Sequence, residues 1–252
     1  MRLCRSVLFL LVLLPTVAHA ETVRVRFTES LSHGFVVLKN DRGEVLADGE
    51  LTQTPRGGQI ENRLTFRFKD GSVWDETVTF TQHKVFRLTS YRHAQRGPSF
   101  PNTSEVSFER GSGRYRAQVG DDTAEGTVDM PEDVYNGMTS TLLKNLRTGA
   151  TSTGHALIFT PKPHLLDTEI RVEGEDRYFV GDAARAATRF LLKMELRGVT
   201  GLVASILGKE PPEVRYWMAT GPAPAFVRFE GAMFLKGPRW HIELSAPRWP
   251  ER

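Results

Sequence analysis

Asp133, Tyr135, Asn136, Met138 and Lys144 lie within one short stretch of this 252-residue chain. A carboxylate, a phenol, an amide and an ammonium can each hold a polar group, while methionine adapts to an irregular apolar one. Leu142 falls on the same apolar stripe, and Trp74 is a large aromatic on the apolar face of a strand pattern. The candidate ligand-binding set is therefore Trp74, Asp133, Tyr135, Asn136, Met138, Leu142 and Lys144. The chemistry it suggests is the holding of a loose apolar ligand. The competing reading is that the same residues fill the protein interior.

Other chemistries find little support. The histidines outside the first 20 residues are His33, His83, His93, His155, His164 and His241, and none stands in H-x-H or H-E-x-x-H spacing, so no metal site is expected. There is no G-x-S-x-G nucleophile pattern, and Gly208-Lys209 lacks the upstream glycines of a phosphate-binding loop. Asp75-Glu76 and Asp121-Asp122 are carboxylate neighbours, but adjacent residues on a strand point to opposite faces. No catalytic residue and no cofactor is assigned. Trp217, Trp240 and Trp249 are read as core anchors.

The chain start restricts function further. Arg2 and Arg5 precede the apolar run Val7–Leu14, Pro15 breaks it, and Ala18-His19-Ala20 has the small-x-small form of a signal-peptidase site. Residues 1–20 read as a cleavable signal peptide, and 21–252 as a single β-rich domain of a periplasmic or secreted protein. Eight apolar residues are too few to span a bilayer, which takes about 20, so no transmembrane anchor is expected after cleavage. Cleavage removes Cys4, the one cysteine, which leaves no disulfide, thiolate metal site or lipid attachment point. It also removes Arg2 and Arg5 from 33 Lys and Arg, leaving 31 against 30 Asp and Glu, a net charge of +1. With no basic run, nucleic acid is not an expected partner.

The positioning elements are mostly strands. Val23, Val25 and Phe27 alternate with Arg24, Arg26 and Thr28; Ile60, Leu64, Phe66 and Phe68 alternate with Glu61, Arg63, Thr65 and Arg67; Trp74, Val78 and Phe80 alternate with Asp75, Thr77, Thr79 and Thr81. Asp70-Gly71 marks a hairpin between the second and third of these. Further strands are read at Phe35–Leu38, Val85–Tyr91, Ser104–Phe108, Ala156–Phe159, Thr168–Val172, Arg177–Val180, Phe190–Leu196, Val214–Met218, Phe226–Phe229 and Trp240–Leu244. The periodicity changes once. Val134, Met138, Leu142 and Leu146 recur at spacing four after Pro131-Glu132-Asp133, with Lys144 and Arg147 near the end and Gly149 beyond it, which predicts a helix over 132–147. Gly137 within it implies a bend or a close approach. Gly198–Leu207 reads as a second short helix, ended by Gly208 and Pro211-Pro212.

Pro131-Glu132-Asp133-Val134-Tyr135-Asn136-Gly137-Met138 with Leu142-Leu143-Lys144-Asn145 resembles a segment of a family of exported proteobacterial proteins of unassigned function. Gly208-Lys209-Glu210-Pro211-Pro212, Ala223–Gly231 and Gly237–Leu244 fit the same pattern. By analogy such proteins resemble the curved, half-open barrels of the periplasmic lipoprotein carriers. The expected fold is mainly β: a large curved antiparallel sheet, a half-open barrel, wrapping one or two short helices. The one-sided alternation of the strands and the Met, Tyr and Leu residues of the helix point to an envelope binding or carrier-like protein holding a lipid or acyl chain in the concave sheet. The alternatives are an envelope structural or interaction protein that recruits another envelope protein, and an envelope hydrolase.

Overall fold

The computed structural model describes residues 22–147, 149–196 and 213–245. The signal-peptide reading of residues 1–20 and the short-helix reading of 198–207 lie outside the described residues. In chain order the elements are β1 (Ser32–Lys39), β2 (Val45–Arg56), β3 (Gln59–Phe68), β4 (Val73–Gln82), β5 (Phe86–Arg96), β6 (Ser104–Glu109), β7 (Arg114–Val119), β8 (Asp122–Thr127), α1 (Thr139–Asn145), β9 (Ser152–Phe159), β10 (Pro163–Val180), β11 (Ala183–Leu196), β12 (Val214–Ala219), β13 (Ala225–Gly231) and β14 (Trp240–Leu244). The strands form one 14-stranded antiparallel sheet in the order β8-β7-β6-β5-β4-β3-β2-β1-β14-β13-β12-β11-β10-β9. The ladders join sequence neighbours, except that β8 and β9 do not pair and β1 pairs with β14 as well as with β2, from Val36 opposite Leu244 to Lys39 opposite His241.

The alternation explains the core. On β3, Ile60, Phe66 and Phe68 are buried while Arg63 and Arg67 face solvent. One interior cluster joins Val36, Leu38, Phe66, Trp74, Phe190, Leu192, Phe229 and Ile242 from strands far apart in sequence, with Leu143 of α1 among them. A second joins Val78, Phe80, Phe86, Leu88 and Phe108 to Val134, Met138, Leu142 and Leu157. The sheet does not close by a ladder, because β8 and β9 are its two edges. Side chains bridge the seam instead: Phe159 of β9 stacks on Phe108 of β6 at 6.0 Å and lies 5.8 Å from Tyr115 of β7.

Strands β2, β7 and β8 were not expected from the sequence, and three expected elements take another form. The helix spans Thr139–Asn145 rather than 132–147. Its expected first turn is instead bound to the edge of β9, where Tyr135 N–H donates to the His155 carbonyl at 2.9 Å and His155 N–H donates to that of Asp133 at 2.8 Å. Gly137 turns the chain from this edge into α1 with φ of +66°, where a Cβ would lie 3.3 Å from Val78 Cβ. Val134, Met138 and Leu142 still share the interior, so spacing four marked burial correctly and helix too broadly.

The strand expected at Val23–Phe27 is a strap with a single bridge, Arg24 to Val85. It runs under the helix C-terminus, where Asn145 Oδ1 accepts from the N–H groups of Arg26 and Phe27, each at 2.7 Å, and Lys144 pairs with Glu29 at 2.9 Å. Finally, Thr168–Val172 and Arg177–Val180 belong to one strand, β10, with a register shift between Val172 and Gly174.

Candidate functional site

The sheet and α1 enclose a half-open cavity of about 980 Å³. Most of its wall is apolar, with Leu64, Val78, Leu142, Leu157, Leu192 and Phe229 among the lining side chains. Trp74, Tyr135, Asn136 and Leu142 of the candidate set reach this cavity; Asp133, Met138 and Lys144 do not.

The non-lining three have identifiable structural partners. Asp133 Oδ1 lies 2.7 Å from His155 Nδ1, and the other ring nitrogen of His155 lies 3.1 Å from Asp167 Oδ1. Both imidazole nitrogens thus face carboxylates, which hold the ring between the 133–136 segment and β10. Met138 is wholly buried at the start of α1, and Lys144 holds the strap through Glu29.

Tyr135 and Asn136 both line the cavity and join the segment to β9. The Tyr135 hydroxyl accepts from Val23 N–H at 3.3 Å, and burial raises its pKa. Asn136 Nδ2 donates to the Leu157 carbonyl at 2.8 Å, and its Oδ1 accepts from Leu157 N–H at 2.8 Å. The primary amide thereby imitates one rung of a strand ladder and covers an edge that would otherwise be open.

A polar sector of the wall that contains a carboxylate is built by β3, β4 and β5. Across β4 and β5, Trp74 stands opposite Gln95, Glu76 opposite His93, and Val78 opposite Tyr91. These side chains, with Asn62 of β3, line the cavity. Tyr91 donates its hydroxyl to Glu76 Oε1 at 2.7 Å. Burial raises the Glu76 pKa, against the pull of that hydrogen bond; burial and the adjacent carboxylate push Tyr91 well above the ordinary phenol range. His93 packs on the Trp74 ring at 4.1 Å between centroids. Burial lowers its pKa to about 4, more than Gln95 and Asp75 raise it, so the ring is neutral at pH 7. Tyr216 of β12 lines the cavity as well; burial raises its pKa, the Thr139 hydroxyl counters, and the Glu76 charge adds to the rise.

Trp74 Nε1, Asn62 Oδ1, His93 Nδ1 and Gln95 Oε1 are buried without a hydrogen-bond partner among the described residues. Sequence reasoning missed this group, apart from Trp74. Its signal was present: Glu76 sits between Trp74 and Val78 on the inward parity, and His93 between Tyr91 and Gln95. The neighbouring carboxylate Asp75 does point the other way, outward to Arg63 Nε at 3.0 Å.

No family model and no curated protein matches the chain. Among solved structures, this chain is similar to a β-barrel-like protein of a domain of unknown function, DUF1849, from Brucella abortus. The two share 8% identity at a TM-score of 0.47, covering 91% of this chain and 100% of that one.

Proposed function

We propose that the protein is an exported binding or carrier-like module that holds a largely apolar ligand, a lipid or acyl chain, inside its half-barrel. The observation that carries this reading is the cavity: about 980 Å³ inside a domain whose strands otherwise bury their apolar face tightly. That volume stands at the upper end of the roughly 300–1,000 Å³ of ligand pockets, and an apolar wall with a polar sector is their usual composition. An interior meant only for stability would fill such a space, since cavities cost stability in proportion to their volume. Export is the second part of the reading, supported by the signal-peptide pattern of residues 1–20.

Native mass spectrometry of the gently purified protein, with organic extraction of the bound fraction, tests the first part. A co-purifying hydrophobic molecule is expected. Leu166→Trp, which places a large ring in the cavity from β10, should displace it while thermal unfolding stays cooperative. A preparation free of bound molecules that also fails to bind a fluorescent acyl probe would refute the carrier reading. Amino-terminal sequencing of the cell-derived protein tests export, with Glu21 the expected first residue.

A further inference from the structure

A carrier's selectivity resides where its wall is not apolar, and here that sector has a definite electrical character. Resting on the reading of the cavity as a ligand site, we propose that the ligand's polar end is a cationic, donor-rich group, a protonated amine or substituted ammonium, seated against Glu76 and the aromatic rings around it.

The argument begins with Glu76. Its half-buried carboxylate faces the cavity, and it accepts from the Tyr91 hydroxyl rather than pairing with a cation. Removing a carboxylate from water without a counter-charge is expensive, and a ligand cation offsets that cost. The neighbouring atoms favour the same partner. Gln95 commits its amide nitrogen to the Asn102 carbonyl at 3.1 Å, which turns Oε1 the other way, buried and unpartnered. Asn62 Oδ1 is a second such acceptor. An ammonium carries up to three donors for these acceptors.

Trp74, Tyr91 and Tyr216 present aromatic surface on the same lining, and such faces attract cations. His93, opposite Glu76 in the register, is neutral at pH 7 and so does not satisfy the charge itself. Trp74 Nε1 is a donor, only 5% of its residue surface being exposed, and suits a hydroxyl or carbonyl next to the amine.

An anionic head group fits this sector poorly. Among the described lining residues Lys236 is the one lysine or arginine, and it lies in the segment between β13 and β14, whereas the β3–β5 wall offers acceptors and a carboxylate. Head-group charge therefore discriminates between the two kinds of amphiphile.

The test is a titration at pH 7 of the purified protein with dodecylamine, dodecanol and dodecanoate, each below its micellar threshold, read by tryptophan fluorescence and by calorimetry. The amine is expected to bind at least tenfold tighter than the alcohol, and the carboxylate weakest of the three. Glu76→Gln should abolish the amine's tenfold advantage over the alcohol. Carboxylate binding equal to or tighter than amine binding overturns the proposal while leaving the cavity reading intact, and so does an amine preference that survives Glu76→Gln. Failure of all three chains to bind overturns both. The wild-type comparison decides the matter even if the variant folds poorly.

Discussion

His93 offers a quantitative check on how dry the polar wall is. Burial lowers its pKa from 6.5 to about 4. The unfolded chain therefore takes up the proton first as acid is added. Its contribution to stability is full above pH 6.5 and is lost as the pH falls toward 4. Complete loss amounts to about 3 kcal/mol at about 1.4 kcal/mol per pH unit of separation, and about 2 kcal/mol of it is gone by pH 5. The perturbation is His93→Gln, which keeps a polar side chain against Trp74 and removes the titration. Urea unfolding of both proteins at pH 7 and pH 5, with matched denaturant slopes, measures the effect. The variant starts from a different stability, so the informative quantity is the change with pH. Wild type should lose about 2 kcal/mol more than the variant between the two values. Glu76 titrates with opposite sign in both proteins and cancels to first order. Equal losses in the two proteins would refute the reasoning, since a ring that titrates normally is in contact with water.

Asn136→Ala removes both hydrogen bonds to Leu157 and leaves that residue's backbone groups unpaired at the edge of β9, so chemical denaturation should register a loss of about 1–3 kcal/mol. Gly137→Ala places a Cβ at positive φ and 3.3 Å from Val78, and a melting temperature lowered by several degrees is expected. Lys144→Ala strands the buried Glu29 carboxylate, and limited proteolysis should then cut residues 22–31 faster than in wild type while the strands remain protected.

Strand β3 was legible because Ile60, Phe66 and Phe68 put a single greasy parity beside Arg63 and Arg67. Strand β2, its neighbour, was not. Its inward parity holds Ala47, Gly49, Leu51 and Gln53, so Leu51 is its one large apolar residue there; the Phe66 ring lies over Gly49, where a Cβ would also come within 2.8 Å of Val36. Strand β8 has almost no buried face, and β7 is a short element between glycine turns. The helix was over-read for a different reason. Spacing four reports which residues face inward, and a segment laid on a sheet edge before a left-handed glycine can meet that spacing without being helical. At the site, Trp74, Tyr135, Asn136 and Leu142 could be named from type and pattern. The cross-strand register that sets Glu76 opposite His93 is a tertiary fact, and until it is known a carboxylate on an apolar parity looks like an interruption.

The joint between β1 and β14 has a consequence for how the chain acquires this shape. All the other ladders connect neighbours in sequence, so the runs β1–β8 and β9–β14 can each assemble by local hairpins. The central joint brings together residues such as Lys39 and Glu243, 204 positions apart, and must await β14. Until Trp240–Leu244 arrives, β1 presents a bare hydrogen-bonding edge at the middle of the future barrel, and the apolar residues Val36 and Leu38 lie open beside it. The last of the described strands is thus the one that protects the first of them, and loss of those few residues would expose both the sheet and the cavity to association with other chains.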